Sequence, residues 1–338
     1  MHAPRSILRP FSTASLCISV ALLSGCNRGG DDKIHVAFVT NNPHAFWTLA
    51  ERGCEKAAKD FNVQVEFRRP AQNSPKDQQD IVDKLMLMGI QGIAVSPNDG
   101  KNQADYYNDI ATKVPLITQD SDLPPGSKRR CYLGTNNVGA GMAAGKMVKE
   151  ILPDGGQVVI LVGSLDVQNA VERRQGVLDE LGGKAGATGP QLGKHELLTT
   201  ITDGGKADEC KRKVEDFLVK YTGDPQKLCF VGLWAYNPHM ALEAVKTAKL
   251  EGKVKVVGFD EDEPTLAGIR AGLIHGTVVQ SPFEFGYEAI RILTGLVKKD
   301  ESVLPAGGVL YIPFKVIKKD EVDAFEKRLN ELRNPKAA

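Results

Sequence analysis

Short runs of β-branched and apolar residues alternate with helix-length amphipathic segments along almost the whole chain from residue 33 onward. The first run covers residues 34–40, and apolar side chains then recur at helical spacing over residues 46–61. About ten such strand–helix units follow one another. Mostly apolar strands separated by helices are typical of a parallel sheet covered on both faces. The alternation therefore predicts an α/β fold.

The number of units constrains the architecture further. Ten units over 338 residues are too many for one core, because a domain averages roughly 150 residues. We therefore predict two doubly wound lobes; a closed barrel of eight units and about 250 residues is the competing arrangement. The predicted strands are residues 34–40, 63–67, 92–96, 115–119, 157–162, 228–233, 254–259, 276–280 and 308–316. The predicted helices are residues 46–61, 75–88, 101–113, 139–151, 170–181, 206–221, 238–249, 264–271, 283–297 and 320–332.

The N-terminal segment differs from the rest of the chain. Arg5 and Arg9 precede a short apolar run at residues 16–23 that is too short to span a bilayer and that ends in Leu-Ser-Gly-Cys at Cys26. This order is typical of an export signal. Its ending resembles the bacterial lipobox, whose cysteine receives lipid; an ordinary secretory signal is the alternative. We expect a signal peptide over 1–25, lipidation of Cys26, a tether over 26–32 and a periplasmic, membrane-anchored lipoprotein.

Composition excludes several classes of function. The 43 basic and 42 acidic residues give a net charge of +1, so no nucleic-acid partner is predicted. The cysteines of the predicted mature domain lack the spacing of a metal site, and we predict no metal and no cofactor. Cys210 and Cys229 are the favoured disulfide pair, because a helix and the strand that follows it are adjacent in such folds. Four free thiols are the alternative.

Polar and aromatic residues follow the predicted strands at the ends where α/β proteins bind ligands. A mixture of carboxylates, amides and aromatic rings suits a sugar, whose hydroxyls both donate and accept hydrogen bonds. Helix caps and core aromatics are the alternative explanation for each position taken alone. The segments are 41–47 (NNPHAFW), 120–122 (DSD), 234–237 (WAYN), 260–262 (DED) and 280–282 (QSP).

The order and spacing of several stretches resemble the periplasmic sugar-binding proteins of the ribose-binding type, the solute-binding components of ABC transporters. The stretches include 39–53, 114–120, 169–176, 256–260 and 276–282. The resemblance implies a type I periplasmic binding protein: two Rossmann-like lobes joined by three hinge crossings. It implies a first lobe of residues 33–135 with 282–312 and a second lobe of residues 136–281 with 313–338.

The resemblance also implies a binding site for a sugar. Ser121 and Val171 stand where ribose binders carry arginine, so ribose itself is not implied. Trp234 adds aromatic surface beside the positions that match the family. The expected ligand-binding residues are Phe46, Trp47, Asp120, Arg173, Trp234, Asn237, Asp260 and Gln280.

The function that the resemblance implies is capture of a sugar and its delivery to an ABC permease by a monomeric binding protein. No nucleophile elbow, zinc-protease motif or P-loop is present, so we do not expect an enzyme. The alternative is a binding protein for a non-sugar polar ligand, such as a polyol or a signalling molecule, that serves chemotaxis or signalling.

Overall fold

The computed structural model describes residues 1–2, 33–72 and 74–334. The predicted signal peptide, the lipidation site Cys26 and the tether lie largely within residues 3–32, outside the described residues. Over the described ranges, every helix is too short or too polar to cross a membrane.

Thirteen strands and ten α-helices alternate along the described part of the chain. The strands are β1 His35–Val39, β2 Gln64–Arg68, β3 Gly92–Val95, β4 Leu116–Gln119, β5 Tyr132–Gly134, β6 Gly156–Val162, β7 Gln191–Leu192, β8 His195–Thr202, β9 Leu228–Gly232, β10 Lys255–Phe259, β11 Gly276–Val279, β12 Val309–Tyr311 and β13 Lys315–Lys318. The helices are α1 Trp47–Phe61, α2 Pro75–Leu87, α3 Ala104–Lys113, α4 Asn137–Ile151, α5 Gln168–Gly182, α6 Ala207–Lys220, α7 Asn237–Thr247, α8 Glu263–Arg270, α9 Pro282–Val297 and α10 Val322–Arg333.

The strands form two sheets. The first has the order β12-β5-β4-β3-β1-β2 and is parallel throughout. The second has the order β13-β11-β10-β9-β6-β8-β7 and is parallel except at its two edges, where β13 and β7 run antiparallel to their neighbours. Helices pack on both sheets, which confirms the predicted α/β class. We call each sheet with its helices a lobe.

The chain crosses between the sheets three times. It leaves the first sheet after β5, because α4 packs on α5 and on strands of the second sheet. It returns after β11, because α9 packs on α1 and the first sheet. It crosses again between β12 and β13, and α10 then contacts both α8 of the second lobe and α1 of the first.

The four cysteines of the described chain are free and buried, so the predicted Cys210–Cys229 disulfide is wrong. Side chains alternate across a strand, so neighbours in β9 face opposite sides of the sheet. Phe230 packs in the core cluster that contains Cys210 of α6, whereas Cys229 packs in the cluster on the other face. The sheet itself separates the two sulfur atoms.

Three strands, β5, β7 and β8, were not predicted. Strands β5 and β7 have only three and two residues, too few to show a period. Strand β8 lies next to the edge strand β7, and most of its side chains are only partly buried. Its sequence HELLTTIT therefore lacks the continuous apolar run that marks a central parallel strand.

Close contact between α1 and α9 depends on glycine. A Cβ atom at Gly53 would lie 2.0 Å from the carbonyl oxygen of Phe283, so the helices must move apart to admit a methyl group. We expect Gly53→Ala to lower the free energy of unfolding by about 2 kcal/mol, as overpacked cores do. Urea denaturation measures the change, with Lys59→Ala on the exposed face of α1 as the matched control. Unfolding of Gly53→Ala at the wild-type midpoint would contradict this packing.

Candidate functional site

A cavity of about 610 Å³ lies between the two lobes, at the carboxyl ends of their parallel strands. Seven of the eight ligand-binding residues expected from sequence line it, and Asn237 does not. The lining comprises Asn41, Asn42, Pro43, His44, Phe46, Trp47, Ala71, Gln72 and Asp120 from the first lobe, and Asn169, Arg173, Gly204, Gly205, Lys206, Trp234, Ala235, Tyr236, Asp260 and Gln280.

Asp120 directly follows β4 and adopts a left-handed backbone conformation with φ 61°. This conformation is uncommon outside glycine, but aspartate tolerates it. Its carboxylate Oδ2 accepts hydrogen bonds from Ser96 Oγ at 2.9 Å and from Asn169 Nδ2 at 3.1 Å. Burial raises the pKa of Asp120, although nearby Arg173 acts in the opposite direction. Asn169 belongs to the second lobe, so its hydrogen bond to Asp120 joins the lobes.

Asp260 is the counterpart of Asp120 in the second lobe. It directly follows β10, has φ 63°, and donates its backbone N–H to Val278 O at 2.7 Å. Its Oδ1 accepts a hydrogen bond from Gln280 Nε2 at 2.8 Å. Burial raises the pKa of Asp260 to about 6, and the charge of Asp120 adds to the rise. The two lobes thus present one buried carboxyl group each at equivalent strand ends.

Arg173 of α5 is held by the protein on every side. Its Nε donates to Asn137 Oδ1 at 2.9 Å, and its two terminal nitrogens donate to Leu233 O at 3.0 Å and Gln280 Oε1 at 2.9 Å. Its second terminal nitrogen lies 3.8 Å from Asp120 Oδ1. The guanidinium group is therefore fixed in orientation, and it lies close to Asp120 and Gln280 of the cavity lining.

Aromatic rings from both lobes form the cavity walls. Phe46 is half-buried, while Trp47 is 1% exposed and packs edge-on against Phe38 with ring centroids 6.1 Å apart. Trp47 therefore serves mainly the core of the first lobe, and Phe46 offers the larger surface to a ligand. On the opposite wall, Trp234 and Tyr236 lie perpendicular, with centroids 6.3 Å apart.

Comparison with known proteins agrees with the α/β fold. Residues 36–301 match the family described as the periplasmic binding protein domain. The chain belongs to this family. Membership confirms the resemblance found in the sequence, and it assigns the chain to a class of extracytoplasmic binding proteins.

Individual relatives align over most of their length. The fructose import binding protein FruE of Bifidobacterium longum is 25% identical over 83% of this chain and 85% of its own. The xylitol-binding protein of Mycolicibacterium smegmatis is 25% identical over 89% of this chain and 83% of its own. The fold matches an ABC transporter solute-binding protein of Burkholderia graminis in complex with D-arabinose, with a TM-score of 0.76, 24% identity, and coverage of 86% of this chain and 97% of that one.

Asn237 lies behind the cavity wall, which corrects its predicted position in the site. Its side chain is fully buried: Nδ2 donates to Asp203 Oδ2 at 3.0 Å, and Oδ1 accepts from the backbone N–H of Trp234 at 2.9 Å. Asp203 also accepts hydrogen bonds from the hydroxyl of Tyr236 and the backbone of Gly205. Asn237 and Asp203 therefore support the wall that Trp234 and Tyr236 form.

Several lining residues were not predicted as ligand contacts. Asn169 was noted only as part of a family stretch, and Lys206 follows the strand β8 that the pattern missed. His44 lies 3.4 Å from Asp262 across the lobes, Nε2 to Oδ2. Burial lowers the pKa of His44, but Asp262 and Asp260 raise it by more, so the net pKa is raised. His44 belongs to the segment 41–47 that the sequence analysis selected for its position after a strand end, but it is not among the expected ligand contacts.

Among the residues that the structure describes, no cluster of histidine, cysteine, aspartate or glutamate side chains could hold a metal ion.

The raised pKa of Asp260 predicts a pH dependence of stability. A carboxyl group with a pKa of about 6 in the folded protein and about 4 when unfolded binds more protons in the folded state between these values. The unligated protein should therefore lose stability as the pH rises through about 6, and Asp260→Asn should reduce this loss. Urea titrations from pH 4.5 to 7.5 measure it, with the exposed Asp105→Asn as the control. An equal pH dependence in Asp260→Asn and the wild type would contradict the assignment.

Proposed function

We propose that the protein captures a sugar or a closely related polyol between its lobes and delivers it to an ABC-type importer. The observation that carries the proposal is the interlobe cavity with Asp120 and Asp260 at equivalent strand ends and aromatic rings on its walls. Its volume of about 610 Å³ falls within the usual range for small-molecule sites.

The chemistry of the lining supports a polyhydroxylated ligand. Each buried sugar hydroxyl needs a hydrogen-bonding partner, because an unpaired one costs about 1–3 kcal/mol. Carboxylates at Asp120 and Asp260 accept such bonds, and Asn169 adds an amide. Phe46 and Trp234 offer apolar surface to the C–H faces of a ring.

The names of the relatives support the same class of ligand. They include a fructose import binding protein and a xylitol-binding protein, a sugar and a polyol. Neither Ser121 nor Val171 lines the cavity here, and Val171 is 41% exposed. Serine and valine stand at these positions where ribose binders are expected to carry arginine, so the sequence does not single out ribose as the ligand.

Binding is coupled to closure in this proposal. The rigid bodies are the lobes predicted from sequence, residues 33–135 with 282–312 and residues 136–281 with 313–338. Direct contacts between the lobes, such as Asn169 with Asp120 and His44 with Asp262, hold the closed form. A ligand favours that form only through contacts that the open form lacks. Because the cavity is lined by residues of both lobes, a ligand bound there gains contacts that the open form lacks.

We also propose that the protein is a periplasmic monomer anchored by lipid on Cys26. In this position it presents its closed form to the permease. Cys26→Ser is expected to release the protein from the membrane fraction without changing ligand affinity. Cell fractionation measures the shift. Retention of Cys26→Ser in the membrane fraction would contradict a lipid anchor at this residue.

Thermal-shift screening with sugars and polyols, followed by calorimetry, tests the function. We expect at least one member of a panel containing D-fructose, D-arabinose, D-ribose and xylitol, among other pentoses, hexoses and polyols, to raise the melting temperature. Stabilisation by none of them would favour the alternative, a non-sugar ligand for chemotaxis or signalling.

A further inference from the structure

Hydrogen-bond acceptors predominate at the inner end of the cavity. Asp260 Oδ2 receives no hydrogen bond from the described part of the chain, and Asp120 Oδ1 has only the arginine nitrogen at 3.8 Å. Asn169 lines the same region, is 5% exposed, and has an Oδ1 without a partner among the described residues. The indole N–H of Trp234 is a donor without a partner among the described residues.

The positively charged side chains of the lining do not neutralise both carboxyl groups. Each nitrogen of Arg173 donates one hydrogen bond to a protein acceptor, each terminal nitrogen keeps a second hydrogen, and the guanidinium carbon lies 4.1 Å from the ring centroid of Phe259. Lys206 is exposed, so water screens its ammonium group. Two buried carboxyl groups, Asp120 and Asp260, therefore share one buried cation, Arg173, which can balance only one negative charge.

We propose that the ligand carries a protonated amine, as an amino sugar or amino-polyol does, and that this amine binds between Asp120, Asp260 and Asn169. The inference rests on the proposed function, because it requires a polyhydroxylated ligand in the interlobe cavity. An ammonium group supplies three donors and one positive charge, which match three acceptors and an uncompensated carboxylate. Buried charges require such pairing.

The same charges act against acidic ligands. A carboxylate or phosphate on the sugar would be placed beside two carboxyl groups, which already outnumber the one buried arginine of the described lining. Like charges placed together in a binding site oppose the wrong ligand. The site should therefore rank ligands in the order amine, neutral parent, acid.

Matched sugars test this order directly. The probes are D-glucose and D-galactose, their 2-amino, 3-amino and 6-amino derivatives, and the corresponding uronates, titrated calorimetrically into the whole exported protein at pH 7.5. For at least one amine, we expect affinity at least about tenfold above that of its neutral parent, the gain typical of a hydrogen bond to a charged group. Binding of the uronates should be weaker than that of the parents.

A variant of Asp260 separates the contribution of the amine to affinity from that of the hydroxyls. Asp260→Asn should reduce the advantage of the amine over its parent to about threefold or less, because an amide keeps an acceptor but loses the charge. Asp105→Asn, an equal change of charge on an exposed helix position, should leave the ratio unchanged. The advantage should also shrink as the pH falls through about 6 and Asp260 takes up its proton.

The outcomes distinguish the two proposals. Neutral sugars that bind as tightly as every amine, or uronates that bind best, would overturn the inference and leave the sugar-binding function standing. An amine advantage that persists in Asp260→Asn would overturn the assigned position. Absence of binding by all of these probes and by every sugar and polyol of the screening panel would overturn both.

Discussion

Arg173→Ala is expected to abolish measurable sugar binding and to destabilise the protein. The side chain is 3% exposed and donates to Asn137, Leu233 O and Gln280, so its removal takes a donor from three buried acceptors, of which Gln280 Oε1 keeps a bond from Thr135 Oγ1. It also removes the cation nearest to Asp120. Removal of one partner from a buried ionic network costs about 3–5 kcal/mol.

Two measurements check this prediction: urea denaturation for stability, and calorimetry with the best sugar of the screening panel for affinity. Arg174→Ala is the matched control, because the neighbouring arginine is only partly buried and donates to Thr200 Oγ1 outside the cavity. We expect a much smaller loss of stability in that control and little change in affinity. Wild-type stability and affinity in Arg173→Ala would show that the observed network does not operate.

Asp120→Ala is expected to weaken binding at least about 100-fold while the fold stays intact, because two charged hydrogen bonds to hydroxyls contribute about 3 kcal/mol or more. Alanine at φ 61° adds a backbone cost of about 1–2 kcal/mol. Asp120→Asn avoids most of that cost, since asparagine tolerates this conformation, and it isolates the carboxylate charge.

Calorimetry and circular dichroism on both variants separate the effects. Asp120→Asn should retain wild-type stability and bind more weakly than the wild type, and Asp120→Ala should bind weakest. Exposed Asp105→Ala provides the control for loss of a carboxylate in the first lobe. Unchanged affinity in both Asp120 variants would remove this residue from the site.

The fold was predictable where the pattern was strong. Central strands such as β1 and β10 are buried on both faces and gave continuous apolar runs between helices. Strand β8 was missed because its position near the sheet edge allows polar side chains. Because β8 was not predicted, Asp203 and Lys206, which follow it, were not considered as site residues. Asp203 supports the cavity wall and Lys206 lines the cavity.

The site was predictable where position alone decides contact. Asp120 and Asp260 directly follow strands whose ends converge on the cavity, so strand prediction was sufficient to place them. Asn237 also follows a strand, but its side chain turns inward to Asp203 and the Trp234 backbone. Trp47 belongs mainly to the core for a similar reason. Sequence alone does not specify which way a side chain turns within a loop.

A crystal structure of the protein with the tightest-binding sugar or amino sugar of the panels tests the central claim most directly. We predict density for the ligand between the lobes, with polar atoms within hydrogen-bonding distance of both Asp120 and Asp260 and a ring face against Phe46 or Trp234. A ligand bound outside the interlobe cavity, or one that contacts neither carboxyl group, would contradict the account.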